Sequence, residues 1–447
     1  MKRKLLVAAI AGALLPLSAG ATNGYFSHGY GMKAKGMAGA STATAIDAFG
    51  GAVNPAKMVW VGDRIDFGLD VFMPRRSASR EGLAGPMAGY NGSSDSGSRT
   101  FYIPEFGYNK LINPNLSLGV TVYGNGGMNT DFSPGLNGGT AAPAFAPSCA
   151  GAPSNLLFGC GRLGVDMMQL IVAPTASYKL NANHSIGISP LFGYQRFKVD
   201  GLQAFDETLA GPVTFTSSQG NTTNRGYDDA TGWGVRFGWM GKMSDTVTLG
   251  AAYASKMRMG RFDKYRGLFA EQGDFDIPEN YNVGIAVKAT PKTTVAFDIQ
   301  QINYAGVKSV GNGVMNSLLA PPANRLGTTS GSGFKWRDQT AFKLGLEHEY
   351  SKNLTLRAGY NYGKSPVRGD QDSVSFNIIA PGVVEQHLTL GGTWTLANKS
   401  ELTVSYMHAF RNSVSGPSAT SLLGIGNSTE TLKMYQNSIG IAYGWKM

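Results

Sequence analysis

Trp233-Gly234-Val235-Arg236-Phe237-Gly238-Trp239-Met240 alternates without a break. Trp233, Val235, Phe237 and Trp239 share one face, and Gly234, Arg236, Gly238 and Met240 the other. A period of two is the signature of a strand whose faces meet different surroundings. The same pattern returns at Val247–Tyr253, Thr340–Glu347, Leu354–Tyr362, Leu388–Leu396, Leu402–Phe410 and Ile439–Trp445. It is fainter near residues 63 to 73, 100 to 110, 116 to 124, 166 to 179, 184 to 199, 277 to 289 and 293 to 304. The count comes to about fourteen, an even number as in single-chain bacterial barrels. Aromatic residues gather towards strand ends, where a membrane barrel carries its two girdles, so the expected fold is all-β, a transmembrane antiparallel barrel.

The connections divide into two kinds. Short turns such as Met243-Ser244-Asp245, Ser351-Lys352-Asn353 and Ala397-Asn398-Lys399 alternate with long segments rich in Gly, Ser and Pro. The long ones are read at 74 to 99, 130 to 165, 200 to 230, 305 to 337 and 411 to 431. Short periplasmic turns and long outer loops are the usual asymmetry of such barrels, which sets the orientation.

The first residues point to export. Lys2, Arg3 and Lys4 precede an apolar run from Leu5 to Leu17, and Ala19-Gly20-Ala21 supplies small residues for cleavage. Residues 1–21 are therefore read as a signal peptide, and the run is too short for a membrane-spanning helix, which needs about 20 apolar residues. Composition agrees, with 61 Gly and only 15% charged residues, where soluble domains carry about 25%. The leader removes three of 39 basic residues, leaving 36 against 29 acids, an excess of +7. Spread along the strands, that charge is a poor footprint for nucleic acid, and no nucleic-acid partner is expected.

Residues 22–60 show no stripe. Rich in Gly, Ala, Ser and Thr, they read as either a periplasmic tail or a plug inside the barrel, which then occupies 61–447. Cys149 and Cys160 lie in one loop segment, where export favours a disulfide over two free thiols. Neither Cys has His nearby, so no metal site and no cofactor are expected. His28, His184, His348, His387 and His408 lie far apart, no Gly-x-Ser-x-Gly elbow occurs, and the Gly359–Ser365 run is one residue short of a phosphate loop. The chain is read as a non-enzyme. Met447 stands where such barrels usually end in an aromatic residue, with Trp445 two positions earlier.

Several short motifs then fall in a familiar order. Asn23-Gly24-Tyr25-Phe26, the run from Gly31 to Ala40 and Asn54-Pro55-Ala56 are followed by Gly124-Asn125-Gly126-Gly127 with Asp131-Phe132. Ile277-Pro278-Glu279, Trp336-Arg337-Asp338, Ser365-Pro366-Val367 and Ser405-Tyr406-Met407-His408 complete the series. Over essentially the whole mature chain this resembles the outer-membrane family of long-chain fatty acid and aromatic hydrocarbon transporters. The resemblance implies a fourteen-stranded barrel plugged by an N-terminal hatch, passively importing hydrophobic molecules with lateral release. It implies a kink of the third strand at Asn125, Gly126 and Gly127, and a gating role for Asn54, Pro55 and Ala56. The barrel group that holds Asn54 is left open, because Gly363-Lys364 stands where the family has acids. Arg196, Lys198 and Lys335 are the candidate polar contacts to ligand, although out of register with the family's basic residues, so fatty acid and neutral hydrocarbon both stay open. A monomer in contact with outer-membrane lipid and lipopolysaccharide is expected. The alternatives are a general diffusion porin and an outer-membrane esterase.

Overall fold

In the computed structural model, which describes residues 23–142, 144–209, 213–319 and 323–447, the alternating segments close into a ring. The leader read at 1–21 lies outside the described residues. Fourteen strands pair in chain order: β1 (Arg64–Glu81), β2 (Phe101–Asn113), β3 (Leu116–Asn129), β4 (Gly164–Lys179), β5 (His184–Asp200), β6 (Asp228–Lys242) and β7 (Val247–Ala254), then β8 (Asn280–Thr290), β9 (Thr293–Ile302), β10 (Gln339–Ser351), β11 (Leu354–Gly363), β12 (Gln386–Thr395), β13 (Glu401–Pro417) and β14 (Thr429–Lys446). All pairings are antiparallel. β14 closes on β1 from Arg64 opposite Lys446 to Glu81 opposite Thr429. The expected antiparallel barrel of fourteen strands is thus the fold the chain adopts.

The alternation has its physical cause in this closure. In β6, Trp233 and Phe237 are 65% and 48% exposed while Arg236 and Met240 are buried inside. Apolar side chains thus point to lipid and the mixed set points inward. Two segments expected in loops, 74 to 81 and 411 to 417, instead extend β1 and β13. Their outward residues, including Arg75, Ser77, Ser413 and Ser415, are polar, so the greasy stripe stops before the strand does. Outer connections also occur at 255–279 and 364–385, in addition to those read from composition.

The segment before β1 packs inside the ring. From Asn23 to Val59 every residue except Ser27, Ala45 and Ile46 is buried, although it contains only two short turns of α-helix, Met32–Lys35 and Gly50–Val53. Such irregular backbone stays inside only if the wall satisfies its polar groups. Asp298 on β9 does so with one carboxylate oxygen, accepting from the amides of Ser41 at 2.8 Å and Thr42 at 2.9 Å. Three buried ion pairs add charge complementarity: Lys33 with Glu401 at 2.6 Å, and Lys35 with Asp70 at 2.8 Å and Glu105 at 2.6 Å. Inward-facing glycines let the two backbones touch. A methyl group at Gly359 would come within 2.4 Å of the Met37 carbonyl carbon.

Candidate functional site

The ladder of the barrel wall is broken between β2 and β3. β2 and β3 pair only from their turn up to Phe106 opposite Val122. Beyond it, β2 keeps its bonds to β1, while β3 loses its neighbour and residues 121 to 130 are all buried. On the other side of β3 the register with β4 slips between Gly124 and Gly126, leaving Asn125 as a bulge. A bulge bends a strand and turns its twist, and here it carries the outer half of β3 inward from the gap.

The beginning of the hatch occupies the freed edge. The Ser27 amide donates to the Asn125 carbonyl at 3.0 Å, and the Gly127 amide to the Tyr25 carbonyl at 3.1 Å. Gly126 permits this close approach, since a Cβ there would overlap the Tyr25 carbonyl oxygen at 1.6 Å. The Asn125 side chain is tied at both ends, donating to Gln169 Oε1 at 2.9 Å and accepting from the Tyr30 hydroxyl at 3.1 Å. Tyr304 holds the hatch from the opposite side, its hydroxyl accepting from the Tyr25 and Phe26 amides and donating to the Asn23 carbonyl.

Behind this seal lies an apolar pocket between the outer loops and the lumen. Its walls include Leu157, Val165, Phe197, Phe269, Phe334 and Ile379, with Ser309 and Ser332 as polar members and no charged side chain. Its free space is about 30 Å³, so the rings around it are closely packed. Aromatic contacts connect it to the gap. Phe197 meets Phe269 at 4.7 Å between centroids, Phe269 meets Phe275 at 5.0 Å, and Phe275 meets Tyr25 at 6.1 Å. A second route runs from Phe334 through Trp336 to Tyr25 and Tyr304. Asp274, in the loop beside Phe275, has its carboxyl raised to about 7, first by burial and then by the neighbouring Asp276 carboxylate.

Asn54 caps the short 3-10 helix Pro55–Trp60 by accepting from the Ala56 amide. Its side-chain amide donates to the Thr42 and Trp239 carbonyls, both at 2.9 Å. The wall group that holds it is thus a main-chain carbonyl of β6. A Cβ at Gly238 would lie 2.0 Å from the Asn54 Oδ1, so the glycine next to Trp239 makes room for it. Pro55 and Ala56 lie against β4 and β5, where Ser177 of β4 and Ser185 of β5 both donate to the Ala56 carbonyl.

The three expected ligand cations lie elsewhere. Arg196 and Lys198 share the outward face of β5 with Phe192, and both rest against Tyr227, at 3.7 and 5.2 Å. Lys335 is paired with Asp372 at 2.9 Å. None of the three lines the apolar pocket. Register explains the first two, because the inward positions of β5 are the odd-numbered ones, such as Gln195 and Phe197. Cys149 and Cys160 are disulfide-bonded within the loop between β3 and β4, with Cα atoms 5.6 Å apart. Sequence reading missed Asp298, Glu105 and Glu401 as hatch anchors. The signal was present, since each is an acid at an inward position of a strand facing a segment that contains Lys33, Lys35 and Lys57.

The same architecture recurs in solved structures. The toluene transporter TodX of Pseudomonas putida matches with a TM-score of 0.65 at 17% identity, covering 94% of this chain and 99% of that one. A FadL homologue of Pseudomonas aeruginosa gives 0.67 at 15%, over 95% and 99%. The toluene transporter TbuX of Ralstonia pickettii gives 0.60 at 18%, over 93% and 98%. At these identities the likeness establishes the fold. A search of curated protein sequences finds no match. The sequence model described as "Outer membrane protein transport protein (OMPP1/FadL/TodX)" matches residues 161–444, well over half the chain, and the protein belongs to that family of the outer membrane.

Proposed function

We propose that the protein passively carries neutral hydrophobic small molecules inward across the outer membrane and releases them sideways through the gap between β2 and β3. The observation that carries this reading is the aromatic route from an uncharged pocket to a wall opening against which Tyr25, Phe26 and Ser27 are packed. The route is lined by rings, and an apolar molecule leaving through the wall passes from them directly into lipid. The toluene transporters among the structural relatives support the ligand class. A fatty acid would bring its carboxylate among walls with no cation, and burying an unpaired charge is costly.

The hatch gates the route. Asn125, Gly126 and Gly127 supply the inward bend, while Asn54, Pro55 and Ala56 fix the far end of the hatch against β5 and β6. A ligand that wedges between Tyr25 and Phe275 weakens the bonds at Ser27 and Gly127, and the gap opens. The chemistry needs no catalytic step.

Uptake of labelled toluene and labelled oleate in a strain lacking its own transporter tests the ligand class. Toluene entry above the empty-vector rate is expected, with oleate at background. The opposite pattern would overturn the neutral ligand. Large, steady single-channel ion currents would overturn the plugged transporter in favour of an open porin.

A further inference from the structure

The outer half of the β13, β14, β1 wall carries a feature that transport does not use. Arg75, Arg411 and Lys433 point outward from these strands, and Arg99 joins them from the loop before β2. They surround a surface cleft of about 430 Å³ that also contains Tyr435 and a single acid, Asp95. The Arg75 guanidinium is fixed by donating to the Pro74 carbonyl at 3.0 Å and the Arg99 carbonyl at 2.8 Å. Arg411 lies over the Tyr435 ring at 5.1 Å. Among the described residues, none of the four cations has a carboxylate ion-pair partner.

Height on the barrel decides what can sit there. Below the cleft the outward positions of β14 and β1 are Ile439, Ile441, Trp445, Val71, Leu69 and Phe67, a stripe that faces lipid tails. Trp445 and Tyr435 are ten positions apart on β14. At about 3.3 Å per residue and a tilt of about 40°, that is about 25 Å along the barrel axis, the height of the apolar band of outer-membrane barrels. The cations therefore begin where the hydrocarbon ends, at the level of outer-leaflet headgroups. Several guanidinium and ammonium groups converging on one cleft suit phosphate, which accepts from forked donors.

We propose that this cleft is a binding site for the phosphorylated sugar headgroup of an outer-leaflet lipopolysaccharide, seated outside the wall with its acyl chains against the Ile439, Ile441 stripe. The site is separate from the transport route and stands whether or not the ligand assignment above holds.

Titration of the detergent-purified protein with lipopolysaccharide lipid, read by native mass spectrometry, tests it. The variant Arg99→Gln/Arg411→Gln/Lys433→Gln should bind the phosphorylated lipid at least tenfold more weakly than wild type. Lys433→Gln alone should lose about fivefold, the effect of one cation near an anionic membrane surface. The heat-dependent gel shift of a closed barrel verifies that each variant is folded. A control with equal charge loss at the periplasmic end, Lys110→Gln/Lys292→Gln/Lys352→Gln, should bind as wild type does. Lipid stripped of its phosphates should bind weakly to all of them. Unchanged binding by the triple variant, an equal loss in the control, or equal binding of the dephosphorylated lipid would each overturn the proposal. So would inorganic phosphate binding as tightly as the lipid, since the site would then recognise a free anion.

Discussion

Replacing Gly126 by Ala strikes the seal of the wall gap with a single methyl group. That methyl would fall 1.6 Å from the Tyr25 carbonyl oxygen, far inside van der Waals contact, and the close neighbours are hatch backbone rather than a movable side chain. The strand and hatch must separate here, and two main-chain bonds between them, from the Ser27 amide to Asn125 and from the Gly127 amide to Tyr25, are lost. At about 1 kcal/mol net for each bond the detached state gains about 2 kcal/mol, or about thirtyfold in population, since 1.4 kcal/mol is tenfold. Hydrogen exchange measures this directly, because the Ser27 and Gly127 amides are the two donors. Their protection should fall about thirtyfold while amides of the β3 to β4 ladder near Val120 keep theirs, and toluene uptake should rise if hatch release limits the rate. Gly392→Ala is the matched control, its added methyl meeting nothing closer than 3.5 Å. Wild-type protection at both amides in Gly126→Ala would refute the idea that the hatch seals this gap.

Lys35→Met should leave Asp70 and Glu105 facing each other in the lumen without a cation. Breaking a buried pair in this way costs about 3–5 kcal/mol, to be seen as a lowered temperature of the folded-to-unfolded gel shift. Asn54→Ala removes bonds to Thr42, Trp239 and Ala56; exchange of amides between Ser41 and Val61 should quicken by one to two orders of magnitude, on the order of 2 kcal/mol, with the barrel strands unaffected. The loop of 255–279 should tighten in acid. Asp274 binds its proton more firmly when folded, near 7, than a free aspartic acid does at 3.8, so its contribution is complete below about 4 and is lost as pH rises through about 7. Exchange in this loop should therefore be slower at pH 5.5 than at pH 8.5, and Asp274→Asn should flatten the difference.

What could be read from the sequence followed from what alternation records. Leu388, Leu390 and Trp394 mark an outward face because lipid tolerates nothing polar there, so strand number and order were legible. The upper ends of β1 and β13 were not, because Arg75 and Ser77 stand above the hydrocarbon and the contrast between the faces disappears. Gly126 was legible as an irregularity, yet the gap also required knowing that β2 and β3 stop pairing at Phe106, which depends on the neighbouring strand. The wall partner of Asn54 is a carbonyl of Trp239, a group every residue has, so no residue type could mark it. Arg196 and Lys198 looked suited to a carboxylate by charge alone; the parity of their positions on β5 turns them to the outside.

The join of β14 to β1 runs through eighteen residue pairs, and it is the one pairing that links the two ends of the barrel sequence. A lumen filled by the nearly forty residues from Asn23 to Trp60 is reached most simply if that segment is in place before the join zips shut. The hatch thus serves as a core around which the wall is drawn, and Arg64, bonded to both Asp66 and Glu401, lies at the end of the seam where chain entry and chain exit meet. An assembly machine acting on this chain would complete its work at that corner, with the plug already loaded.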